Sequence, residues 1–182
     1  MNKVLFVLAV LLIMSMPVMF TSDAKLITRA LHSTEPSSWQ TMMLPAWLAD
    51  FKIMKLGIKD CTLSFAKEND TGSAISFLVA AYGSEHVDNS RVEIYITRFI
   101  EQGCSVDALD QAGMTPLHSA VLFNQPRLVK FLLDNNADMR IKINRPGKRV
   151  DGMQPLKFAK FLLATNDKQE LKDIIKIFKN KK

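Results

Sequence analysis

Apolar residues in the second half of the chain recur in short bursts at three-to-four spacing. Leu117, Ala120 and Val121 form one stripe, Leu128, Val129, Leu132 and Leu133 a second, and Leu171, Ile174, Ile175 and Phe178 a third. Each predicts a short amphipathic helix with one face turned to a core. Pro116 and Pro126 open two of these helices at the first helical position, where the missing N–H costs nothing, and Thr115 is placed to cap the earlier one. Gly113 suits a turn needing positive φ, and Asn136 is the next-best residue after Gly for a left-handed helix end. The local unit therefore reads as turn, helix, helix. Opposite the third stripe, Lys168, Lys172, Lys176 and Lys179 form a solvated face.

The unit recurs in both directions. Gly152, Pro155, Leu156 and Ala159 repeat Gly113, Pro116, Leu117 and Ala120 at an offset of 39. Upstream, Ile96, Phe99, Ile100, Gly103 and Cys104 align with Val129, Leu132, Leu133, Asn136 and Ala137 at an offset of 33. A partner helix is expected within Ser73–Tyr82, around the small pair Ala80-Ala81. The difference between the two offsets leaves six extra residues between Asp138 and Gly152. There the stretch Arg140–Arg149 predicts an elongated basic turn or a small β-hairpin projecting from the stack. Residues 25–71 lack the pattern. Lys25–Ser33 and Pro45–Leu56 read as helices separated by a Thr34–Ser38 loop, the second presenting Trp47, Leu48, Phe51 and Met54 to a core.

The segment Asp110 to Val121, with Thr115-Pro116-Leu117-His118 at its centre, the paired Leu132-Leu133 and then Asn136-Ala137-Asp138, resembles an ankyrin repeat. That resemblance implies an all-α helical solenoid of about three repeats over residues 72–182, the flanking two degenerate as capping units are. An N-terminal helical cap over residues 25–71 would close it. It also implies that Gly113, Thr115, Pro116, Leu117 and His118 are the structural repeat motif, with His118 tying neighbouring turns together by hydrogen bonds. The turn tips and inner helix faces become the binding surface. On this chain they carry Gln111, Ala112 and Met114, then Arg140, Lys142, Arg145, Lys148 and Arg149, and Leu122 and Phe161 at equivalent inner-helix positions. Leu122 and Phe161 read equally as interface anchors or as groups buried beneath the long turn.

The chain of 182 residues, 48% hydrophobic and 23% charged, is too apolar for disorder, and two cysteines exclude a disulfide-dense mini-protein. Charge is polarised: Met139–Lys182 holds thirteen Lys/Arg against four Asp/Glu, whereas Lys25–Asp138 holds ten against thirteen. The positive end is suited to steering an acidic protein partner. The competing class is a basic binder of anionic membrane or nucleic acid.

At the other end, Lys3 precedes an uninterrupted apolar run from Val4 to Met14, and Ser22 and Ala24 put small residues at the cleavage positions of a secretory signal over residues 1–24. An uncleaved anchor over Val4–Phe20 is the alternative. Export places the chain in the periplasm, where Cys61 and Cys104 can form one bridge. Two separate thiols are the other reading, since Cys104 stands where the repeat takes a small buried side chain. Asn69-Asp70-Thr71 is formally a glycosylation acceptor.

No catalytic residues, metal ligands or cofactor site are expected. His32 and His86 have no partner at ligand spacing, Gly83-Ser84-Glu85-His86 lacks a nucleophile elbow, and there is no Gly-rich phosphate loop. A small ankyrin-like chain behind an export signal is similar to periplasmic immunity proteins, which bind and occlude a toxic effector such as a secreted lipase. An acidic effector enzyme is the partner this resemblance implies.

Overall fold

The computed structural model describes residues 61–64, 71–85 and 87–181, together with Ile27, Thr28, Ala30 and Leu31. Two short antiparallel strands, β1 (Thr62–Ser64) and β2 (Thr71–Ser73), pair Thr62 with Ser73 and lead into three helix pairs. These are α1 (Ala74–Ala81) with α2 (Asn89–Glu101), α3 (Pro116–Leu122) with α4 (Pro126–Asp134), and α5 (Pro155–Thr165) with α6 (Gln169–Asn180). The expected helical solenoid is thus formed, with one small sheet that the sequence pattern did not announce. Strands of three residues are too short to display an alternation.

The inner helices form a row in which α3 packs between α1 and α5, while α4 packs beside α6 on the outer layer. Every residue from Pro116 to Val121 is consequently buried. Within α3 the Thr115 hydroxyl accepts the His118 N–H, Pro116 occupies the first turn, and the His118 ring returns a bond to the cap. Asn136 adopts a φ of 65° at the end of α4, the left-handed conformation expected of it. Helix α5, with eleven residues against seven in α3, is a full turn longer than its counterpart.

At the N-terminal end, Ile27, Ala30 and Leu31 are helical and buried in the same core. The Leu31 carbonyl accepts the Asp88 N–H at 3.1 Å and the Ala30 carbonyl accepts Arg91 Nη1 at 3.0 Å, so this turn closes over the start of α2. The 1–24 segment, the Thr34–Ser38 loop and the Pro45–Leu56 helix lie outside the described residues. Cys61 and Cys104 are joined in a disulfide with a Cα–Cα distance of 5.3 Å. Cys104 is also nearly sealed in the core, so the small buried position and the bridge coincide.

The long turn is not a β-hairpin. In the middle finger the Asp110 N–H donates to the Met114 carbonyl and the Gly113 N–H to the Asp110 carbonyl; the last finger repeats this with Ile143 to Met153 and Gly152 to Ile143. The six extra residues therefore fall within 144–152, above an unchanged base. Strand pairing cannot extend upward, because the N–H groups that would make it are engaged elsewhere. Asn144 donates to the Gly113 carbonyl of the preceding finger at 2.9 Å, Arg145 to the Asp151 carboxylate at 2.7 Å, and Pro146 has none.

Two glycines of similar positive φ separate backbone strain from crowding. At Gly113 (φ 68°) a Cβ would collide with the Asn144 carbonyl oxygen, whereas at Gly147 (φ 77°) it would meet open space. Gly147→Ala is expected to cost about 1 kcal/mol, the ordinary left-handed penalty, and Gly113→Ala about 3 kcal/mol or more because the fingers must separate. Urea unfolding checks both. Reducing the Cys61–Cys104 bridge, which spans 43 residues, is expected to lower stability by about 4 kcal/mol on the loop-entropy scale. Melts with and without reductant measure it.

Candidate functional site

The fingers lead into the inner helices, and part-buried polar groups set their geometry. Asp110 organises the middle finger: its Oδ1 accepts the N–H groups of Ala112 at 2.8 Å and Met114 at 2.9 Å. This side chain was not singled out from the sequence, although an Asp three residues before a turn glycine is a legible Asx-turn. Asp107 acts similarly on the neighbouring repeat, its two carboxylate oxygens accepting the Asp138 N–H at 3.0 and 3.2 Å. Burial raises the Asp107 pKa, and the nearby Asp138 charge adds to this. Asp138 is itself held below the usual carboxylate range by Arg140, whose Nε and Nη2 each donate to it at 3.0 Å.

His118 is fully enclosed between Thr115 and the following finger. Its Nε2 lies 3.1 Å from the Met153 carbonyl, which can only accept, so Nε2 carries the proton. Nδ1 is then the acceptor for the Thr115 hydroxyl at 2.8 Å. Burial pushes the imidazole pKa down to about 4. With both nitrogens committed and the ring against Phe158, it has no face for a substrate. Its role is the tie between successive turns. In the preceding repeat Ser76 occupies the matching position, its backbone N–H bonded to the Ser73 cap, and its Oγ is buried without a partner. A shallow cavity of roughly 390 Å³ opens there between the first and second turns, lined by Gly72, Ser76, Phe77, Asp110, Gln111 and Ala112.

The expected contact residues divide. Met114 is only 7% exposed and packs into the core, because its backbone closes the finger and turns the side chain inward; it is removed from the tip surface. Arg140 is exposed but spent on Asp138. Gln111, Lys142, Arg145, Lys148 and Arg149 are exposed as expected. Leu122 is 37% exposed and its neighbour Phe123, which the sequence reading passed over, 44%. Phe161 is half-buried, with the Arg149 guanidinium 5.4 Å from its ring centre. The two inner-helix positions thus separate: Leu122 is open, and Phe161 is covered by the long loop.

Among the described residues no three His, Cys, Asp or Glu side chains converge as metal ligands, and no helix is long and apolar enough to cross a membrane. Elsewhere, charges pair locally. Glu93 accepts from the Tyr82 hydroxyl at 3.0 Å and pairs with Arg127 at 2.9 Å, linking α2 to α4; burial, with the Glu93 bond, raises the Tyr82 pKa to about 12.

Stacked helix pairs with projecting fingers define a repeat scaffold whose free face serves for binding. Residues 48–143 match the family described as ankyrin repeats (3 copies), just over half of the chain, and the protein belongs to the ankyrin-repeat family. The matched span ends at Ile143, where the finger insertion begins. Domains of this family are in general non-catalytic modules that bind protein partners. No curated protein matches the sequence.

The His118 tie has a pH signature. Its pKa is lower folded (about 4) than unfolded (6.5), so the folded state refuses a proton that the unfolded chain accepts. Stability from this group is complete above pH 6.5 and is lost as pH falls toward 4, about 3 kcal/mol in all. Urea midpoints between pH 7.5 and 4 are expected to show this loss, and His118→Asn to be less stable at pH 7.5 but with a flatter pH slope.

Proposed function

We propose that the chain is an exported, non-catalytic binding module of the cell envelope that neutralises a toxic effector enzyme by docking its last finger and inner-helix face over the effector. The observations that support this reading are the exposure of two apolar side chains at the end of α3, Leu122 and Phe123, and a last finger whose exposed Arg145, Lys148 and Arg149 pair with no carboxylate among the described residues. Apolar anchors rimmed by charge are the composition of binding hot spots. Export is supported by the apolar run behind Lys3 and by the Cys61–Cys104 bridge, since disulfides persist in oxidising compartments. The neutralising role rests on the similarity to periplasmic immunity proteins.

A membrane or nucleic-acid reading would draw on the lysine face of α6. On that face Lys172 is already paired with Asp167 at 2.7 Å, and Lys181, just beyond the helix, with Asp134 at 3.0 Å.

Capture of envelope proteins on the tagged chain is the test. One stoichiometric protein is expected, lost with Arg145→Glu/Lys148→Glu/Arg149→Glu and retained with Lys176→Glu/Lys179→Glu. Inhibition of that protein's activity by the wild-type chain would establish neutralisation. Recovery of lipid or nucleic acid alone, or of nothing, overturns the reading.

A further inference from the structure

The finger insertion and the helix it precedes concentrate charge to an unusual degree. Between Arg140 and Phe161 stand seven Lys/Arg and one acidic residue, Asp151, whose carboxylate is engaged by the Arg145 N–H. The loop is nevertheless ordered. Its base is held by the Ile143–Met153 and Gly152–Ile143 bonds, its side by Asn144 to Gly113, and its tip by the Lys148 N–H to the Arg145 carbonyl and the Asp151 N–H to the Lys148 carbonyl. Cationic side chains on such a frame are positioned before any partner arrives, which lowers the entropy lost on binding.

Arg149 stands apart from its neighbours. Its guanidinium lies over Phe161, a contact made through charge and ring quadrupole that consumes none of its N–H donors. No acceptor among the described residues takes those donors. A guanidinium fixed in place with a free donor fork fits a carboxylate, which it can grip with two parallel bonds; a lysine ammonium offers a point charge only. Lys157, exposed one turn before Phe161 on α5, adds charge on the same helix face.

We propose that Arg149, seated on Phe161, is a carboxylate-reading site for an Asp/Glu-rich segment of a protein partner. This deepens the binding reading above, and rests on it for the partner's being a protein. Phe161 is then a positioning residue, holding the guanidinium rather than meeting the partner.

Anisotropy of a fluorescein-labelled oligo-glutamate with the full chain tests it, beside a labelled oligothymidylate and vesicles of phosphatidylserine and phosphatidylcholine. Oligo-glutamate is expected to bind better than either. Arg149→Lys, which keeps the charge, and Phe161→Leu, which removes the platform, are each expected to weaken it on the order of tenfold. Lys179→Ala is expected to change it little. Unchanged affinity in Arg149→Lys, tighter binding of thymidylate or vesicles, or no peptide binding would sink the proposal. Repeating the envelope capture with Arg149→Lys separates the two levels. If the native protein partner is retained in full, carboxylate reading falls and the binding module stands; if neither chain captures a protein, the binding module itself falls.

Discussion

A stack of helices only seven to thirteen residues long has little cohesion along any one helix, because such segments are marginal in isolation. Everything depends on fastening each turn to the next. Here the fastening is a neutral imidazole. His118 takes a proton bond from its own cap, Thr115, and gives one to the Met153 carbonyl of the following finger, inside a site closed to water. A low dielectric strengthens both bonds and penalises the charged ring, so the same burial that secures the tie also restricts it to one protonation state. The Asn144–Gly113 bond fastens the same pair of fingers at their tips, and only a glycine leaves room for it.

The first and second turns lack this arrangement. Ser76 stands in the histidine position, its hydroxyl is left without a partner, and a cavity opens where the matching tie would lie. The stack is therefore closed more firmly toward its C-terminal pair than at its start. What fastens the start is covalent, the Cys61–Cys104 bridge, together with the helical turn that holds Ala30 and Leu31.

Much of this was legible where a side chain's chemistry acts locally. Thr115, Pro116, Gly113 and Asn136 take the cap, first-turn and left-handed positions their chemistry suits, and the three helix pairs follow from apolar spacing together with the repeat offsets. The features missed depend on groups brought together from afar. Met114 looks like a tip residue by position, but the backbone bond from Asp110 turns it into the core. Of the two forms open to the long stretch, the elongated turn is found and the hairpin is not, because Asn144 finds its acceptor on another finger. The choice between two thiols and a bridge could not be made from spacing, because Cys61 lies just before β1, in a stretch with no repeat pattern. On the candidate surface, exposure of Arg145, Lys148 and Arg149 was readable from charge; that Arg149 sits on Phe161 was not, since a contact across twelve residues and a loop of serial turns leaves no periodic trace.

The disulfide has a directional effect. Linear repeat arrays come apart from their ends, each unit leaning on its neighbour. The bridge runs from the residue before β1 to Cys104, three residues beyond the end of α2, so the strand pair, α1 and α2 all lie inside a single covalent ring. That ring cannot peel away progressively from the N-terminal side while the bridge holds. Beyond Cys104 the later helix pairs are fastened by packing and hydrogen bonds without a covalent tie. The last finger, with its inserted loop, lies outside that ring, so reduction of the bridge leaves the bonds that hold the charged surface in place untouched.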